Sequence, residues 1–243
     1  VTLPSDSRPL YDRLGPRYRS AGFASWAVEL RPRLLELLAL PPDPPPGRWI
    51  DLGCGSGELL AIGLPGRDAK VGLDLSLGML AAGRACRGSL LTGDARRLPL
   101  RSDFASLATA TFDVANHMLD SGALEEFFRE TARILVPGGI FLFDANSPHH
   151  LRLWDGTSQR GEGEERIDRV GRFDESHGVA LVRFERIGAD GTGELLGLLR
   201  ERGWTPGPVE SLLRRCGFEV VRRLELRAAR GASLRHLWRA DRR

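Results

Sequence analysis

Lysine is almost missing from this chain: Lys70 is the only one, so arginine supplies the rest of the 35 basic residues and the formal net charge of +3. A basic surplus admits a nucleic-acid or acidic partner without requiring one, and arginines solvated on surface faces account for it equally well. Cysteine is scarce too. Cys54, Cys86 and Cys216 lie far apart, form no C-x-x-C pair and have no histidine at metal-ligand spacing, which argues against a disulfide framework and a bound metal. No apolar run approaches the ~20 residues of a membrane span, and no charged start followed by an apolar stretch marks a secretory signal. The chain is therefore expected in the cytoplasm, away from membranes, as a monomer or homodimer.

What is present suffices for one substantial core: 243 residues, 42% of them hydrophobic, a size that single α/β domains reach. One domain spanning 1–243 is expected. Its parts are an N-terminal helical cap with a proline-rich connector (1–47), a ligand-binding core (48–150), an inserted antiparallel β cover (151–200) and a C-terminal helix with closing strands (201–243).

The core opens with Trp49-Ile-Asp-Leu-Gly-Cys-Gly-Ser-Gly-Glu-Leu59, which sets Gly53, Gly55 and Gly57 between a short apolar run and an amphipathic one. That is the layout of strand, tight turn and helix. Glycines let such a turn take positive φ and approach a ligand closely, while the N–H groups of the following helix point at whatever lies above. A dinucleotide is the obvious ligand, but its G-x-G-x-x-G spacing fails here, because Glu58 stands at the third position. Asp51 at the strand end also repels an anion and attracts a cation.

The run Ile50-Asp-Leu-Gly-Cys-Gly-Ser-Gly-Glu58 resembles the first motif of the Rossmann-like S-adenosylmethionine-dependent methyltransferases, the small-molecule subgroup in particular. Further matches follow in order: Asp74 at the end of Lys70-Val-Gly-Leu-Asp74, the Leu90–Pro99 stretch, Thr111–Asp120, and Leu135-Val-Pro-Gly-Gly before Ile140–Asp144. The resemblance implies a three-layer αβα sandwich with a mostly parallel seven-stranded sheet closed by an antiparallel β-hairpin. It implies S-adenosylmethionine as cofactor and S-adenosylhomocysteine as product. Cofactor contacts are implied for Asp51, Gly53, Cys54, Gly55 and Gly57 in the turn, Asp74 on the ribose hydroxyls, and Leu75 and Met79 against the adenine. Asp94 and the Ala95 N–H are implied at the adenine edge, with Thr111 and Tyr18 completing the seat and the Tyr11…Tyr18 segment closing over it.

The Thr111–Asp120 loop should border the transferred methyl. Asn116, His117, Asn146 and Tyr11 are the acceptor-side candidates. His117 is the candidate base, since its pKa lies near neutrality. Around this frame, Pro32 is expected to separate two helical pieces, and Leu124, Phe127, Phe128, Thr131 and Leu135 to form one helical face stopped by Pro137-Gly138-Gly139. Residues 151–165 read as a polar mobile loop, and 165–200 as alternating strands covering the pocket.

A small-molecule acceptor is the favoured reading. RNA or protein is the alternative, through the arginines at 222, 223, 227, 230, 235, 239, 242 and 243; a non-catalytic S-adenosylmethionine-binding regulator is the third.

Overall fold

The computed structural model describes residues 7–39, 47–66, 69–83, 90–160, 166–227 and 233–243. The Pro41–Pro46 connector, Cys86 and Arg230 lie outside them.

Five strands run parallel: β1 (Trp49–Leu52), β2 (Lys70–Asp74), β3 (Leu90–Thr92), β4 (Ala105–Ala110) and β5 (Leu135–Asn146). The chain then returns as β10 (Phe218–Arg227) and β11 (Ser233–Arg242), an antiparallel pair whose β11 also lies antiparallel to β5. The sheet order is β10-β11-β5-β4-β1-β2-β3, the expected seven strands with a closing hairpin. Strand β1 is buried throughout, as an apolar strand covered on both faces should be. One face carries α5 (Ser121–Ile134) and α7 (Pro206–Arg215), with Phe127, Phe128, Leu212 and Leu213 against Phe141 and Phe143. The other carries α2 (Trp26–Leu38) and α3 (Glu58–Ile62), with Leu34, Leu37 and Leu59 against Trp49 and Leu107.

Two boundaries differ from the sequence expectation. Helix α2 passes through Pro32 unbroken and buries Leu30, Leu34, Leu37 and Leu38. Each buried leucine contributes ~1.5–3 kcal/mol, together more than the ~3 kcal/mol cost of an internal proline. Val28, whose carbonyl loses its partner, is 65% exposed, so water can take the vacant bond. The second difference is at Leu135, which leaves α5 with extended backbone and pairs with Ala105. The register then shifts, and Ile140 pairs with Leu107. Sheet pairing ends the helix before Pro137 is reached, and Val136–Gly139 form an irregularity within β5.

A second sheet, ordered β6-β7-β8-β9, is formed by Ser158–Gln159, Arg166–Asp174, Val179–Ile187 and Gly193–Arg202, all antiparallel. It is the inserted cover. The stretch 151–165 read as a polar loop begins in the end of α6 (Pro148–Arg152), capped by Ser147 Oγ on the His150 N–H, and contains the short β6; its residues 161–165 lie outside the described residues. Ile167, Val182, Phe184, Leu196 and Leu199 of the cover pack on Leu10, Leu14 and Tyr18, from α1 (Arg8–Leu14) and the turn after it. That N-terminal segment is clipped to the core through Asp12, which accepts from Ser76 Oγ at 2.7 Å and the Gly78 N–H at 3.0 Å. The approach requires glycine: a Cβ on Gly78 would lie 2.2 Å from the Asp12 carbonyl oxygen.

Candidate functional site

The strand order reverses direction between β1 and β4, and in open α/β sheets ligands bind outside the carboxyl ends of the strands at that reversal. A cavity of about 820 Å³ occupies this position, roofed by α1 and the cover sheet. Gly53, Gly55 and Gly57 all take positive φ, at 67°, 57° and 80°. Parallel pairing of Leu52 with Leu73 sets the turn beside the end of β2. There Asp74 accepts from the Gly55 N–H and the Ser76 N–H, each at 2.8 Å. Its carboxylate is therefore held in one orientation on the cavity wall. Burial pushes its pKa above the usual carboxylate range despite those two donors. Capping of the next helix, α4 (Leu77–Ala82), falls to Ser76, whose Oγ accepts from the Met79 N–H.

Leu75, Met79, Ala95, Thr111 and Tyr18 stand on the same wall. The Thr111 hydroxyl is buried and has no hydrogen-bond partner among the described residues. Asp94 follows β3 and holds the Arg96 guanidinium in a fork, with contacts of 2.7–3.2 Å, as well as the Arg96 N–H at 2.9 Å. Burial opposes ionisation there, but the bonds from Arg96 prevail and hold the carboxyl below its usual range. Glu58 also faces the cavity, 6% exposed, with Ser56 Oγ donating to it and Arg19 Nε 3.0 Å away.

Five candidates from the sequence do not reach the wall. Asp51 is buried at 2% exposure and accepts from Thr109 Oγ1, which itself accepts from Trp49 Nε1. It is a cross-strand link beneath the turn, and burial pushes its carboxyl up to about 7. Cys54 points away from the cavity, toward Gly72, where an added Cβ would lie 2.7 Å from its Sγ. Gly57 supplies conformation, as the left-handed residue that starts α3. Asn116 is fully buried and ties three backbone groups, the N–H and carbonyl of Asn146 and the carbonyl of Arg202. Asn146, equally buried, donates to Asp113 and contacts His150 Nδ1 at 2.9 Å. The two asparagines thus sit behind the wall and position Asp113 and His150, which are on it.

His117 is on the wall, in a 3₁₀ turn over Val114–His117. Its Nδ1 lies 3.2 Å from Ser7 Oγ and its Nε2 3.2 Å from the Tyr11 hydroxyl. Burial lowers its pKa and favours the neutral ring. Burial likewise raises the Tyr11 pKa, with Glu201 adding to the effect.

A charged cluster at one end of the cavity is absent from the sequence expectations. Arg235 joins Asp113, at 2.6 Å, to Asp144. Burial works against its charge, yet the two carboxylates prevail and raise its pKa. Glu201 on β9 completes the group, 1% exposed and on the wall. The phase of β9 carried a signal: Leu199 faces inward, so Glu201 two residues on must share that face. Arg235 was grouped with surface arginines, of which most make ion pairs here: Arg222 with Glu36, Arg223 with Glu210, Arg239 with Asp241 and Arg242 with Asp103.

Residues 50–143 match the methyltransferase domain family. The ubiquinone/menaquinone biosynthesis C-methyltransferase of Syntrophotalea carbinolica is 34% identical over 56% of this chain and 60% of its own length. The demethylmenaquinone methyltransferase of Corynebacterium kroppenstedtii is 32% identical over 56% and 58%. The chain thus spans about 60% of the length of these curated relatives. Among solved structures, the CcbJ methyltransferase from Streptomyces caelestis shares the fold with a TM-score of 0.75 and 20% identity, covering 98% of this chain and 99% of that one. The S-adenosylmethionine-bound amino pentose methyltransferase CalS10 from Micromonospora echinaspora has a TM-score of 0.68 at 23% identity, covering 93% and 94%. No helix among the described residues is long and apolar enough to cross a membrane.

Proposed function

We propose that this chain, whose residues 50–143 match a methyltransferase domain family, is an S-adenosylmethionine-dependent methyltransferase that transfers a methyl group to a nitrogen, oxygen or carbon nucleophile of a small molecule. The observation that carries the reading is Asp74, a carboxylate held by the Gly55 N–H at the sheet's switch point and aimed along the cavity wall. Such a group accepts bonds from a pair of ribose hydroxyls. Leu75 and Met79 offer an apolar bed for a base beside it, and Asp94 and Ala95 its polar edge. Glu58 opposes a diphosphate at this helix start and favours a cationic centre. The unpartnered Thr111 hydroxyl is a further polar contact available to a ligand.

When bound, S-adenosylmethionine supplies an electrophilic methyl on a sulfonium, with a thioether as leaving group. The chain's part is to hold the reactants in line and exclude water. The α1 segment and the cover sheet perform that exclusion, and a roofed cavity of about 820 Å³ suits a small acceptor better than a polymer. His117, held neutral by burial, is assigned as the proton acceptor for nucleophiles that must lose one; Tyr11 fixes its ring.

Calorimetric titration of S-adenosylmethionine and S-adenosylhomocysteine into the wild type and Asp74→Ala, with NAD as control ligand, tests the reading. Both sulfur compounds should bind the wild type and lose about tenfold or more in the variant. Binding of NAD alone sinks it.

A further inference from the structure

We propose that Glu201 is the acceptor-recognition residue of this site and that the acceptor carries an amino group, bound as its ammonium form. The proposal rests on the methyltransferase reading above and narrows it to one substrate class.

Glu201 is 1% exposed and lines the cavity. Among the described residues its Oε2 has only a long contact from Asn146 Nδ2, at 3.4 Å, and its Oε1 has no hydrogen-bond partner. Buried carboxylates are normally paired, because desolvation of the charge is otherwise unrepaid. The one guanidinium of the neighbouring cluster is Arg235, already shared between Asp113 and Asp144. Three carboxylates thus stand around one cation. The other cations on the cavity wall are engaged elsewhere, Arg96 with Asp94, Arg8 near Asp12 and Arg169 over the Phe23 ring; Tyr11 is a phenol held neutral, and burial drives the His117 and His150 rings toward their neutral forms. Burial and Asp113 push the Glu201 pKa well up, and a cation placed beside it would oppose that shift and favour the carboxylate. An ammonium supplies the missing charge and three donors. A hydroxyl offers one donor and brings no charge. Val182, Phe184 and Leu199 of the cover also line the cavity, providing a surface for an apolar body attached to the amine.

The test uses the full chain saturated with S-adenosylhomocysteine, into which cyclohexylamine and benzylamine are titrated in parallel with the near-isosteric cyclohexanol and benzyl alcohol. Each amine should bind at least about tenfold more tightly than its alcohol. Glu201→Gln should remove about tenfold or more of the amine affinity while alcohol affinity and the S-adenosylhomocysteine Kd stay within about twofold, and Glu201→Asp should recover part of the loss. Equal binding of amines and alcohols, no amine binding, or indifference to Glu201→Gln overturns the assignment. If the variants do not fold, the amine-against-alcohol comparison on the wild type decides by itself. Failure of S-adenosylhomocysteine to bind the wild type is a separate result, and removes the methyltransferase reading beneath the proposal.

Discussion

The Gly53 Cα faces the Val114 side chain so closely that an added Cβ would lie 2.4 Å from Val114 Cγ2. Gly53 also has φ of +67°, so the turn after β1 and the 3₁₀ turn before α5 are built against each other, and a side chain at Gly53 meets both backbone strain and a clash. Gly53→Ala should lower stability by ~1–3 kcal/mol, read as a fall in urea midpoint at unchanged m-value. Gly53→Ala with Val114→Ala should recover part of it; no recovery would show that strain alone sets the cost.

Arg235 is the cation on which two buried carboxylates depend. Arg235→Met should destabilise by ~3–5 kcal/mol, since it leaves Asp113 and Asp144 unpaired. Adding Asp144→Asn should restore part of that, because one uncompensated charge is removed with it. Denaturant unfolding of four proteins, the wild type, Arg235→Met, Asp144→Asn and the double variant, gives the coupling directly, and additive losses would contradict the shared-cation arrangement.

Asp51 makes stability fall with rising pH. Its carboxyl titrates at about 7 in the folded chain, against ~3.9 in an unfolded one. Between those values the native state holds a proton that the unfolded state has released, so the slope of unfolding free energy with pH is negative. The contribution is full below ~4 and lost as pH rises toward 7, on the order of 4 kcal/mol in all. Asp51→Asn keeps an oxygen for Thr109 and cannot ionise. It should gain on the wild type from about pH 4 to about 7 and level off above that in thermal unfolding; a constant difference across this range would place the titration elsewhere.

Asp12 fastens the roof of the cavity to α4. Asp12→Ala should cost ~1–3 kcal/mol by stranding Ser76 Oγ and the Gly78 N–H. Its distinctive effect is local: amide exchange across residues 8–18 should accelerate more than across β5. Uniform acceleration would mean that the clip serves global stability only.

Much of the core was readable in the chain. The turn from Gly53 to Gly57, the strands before and after it, Asp74 at a strand end and the alternation from 165 to 200 are local patterns, set by backbone sterics and side-chain period. Two boundaries failed where tertiary forces outweighed local ones: leucine burial carried α2 through Pro32, and pairing with Ala105 drew Leu135 out of α5. Candidates near strand ends follow from local pattern, and Gly55 and Asp74 do meet on the cavity wall; the cluster around Arg235 depends on distant segments and was not legible.

The sequence by itself determined the sheet, the glycine turn and the residues that border it, because each of these depends on neighbours a few positions away. Only the tertiary structure decided which polar side chains enter the cavity. Asp51, Asn116 and Asn146 face into packed protein, while Glu201 and Arg235 meet Asp113 and Asp144 from segments up to 122 residues apart. A strand's period says which residues share a face; what covers that face, and which charges it brings together, depends on the packing of the whole chain.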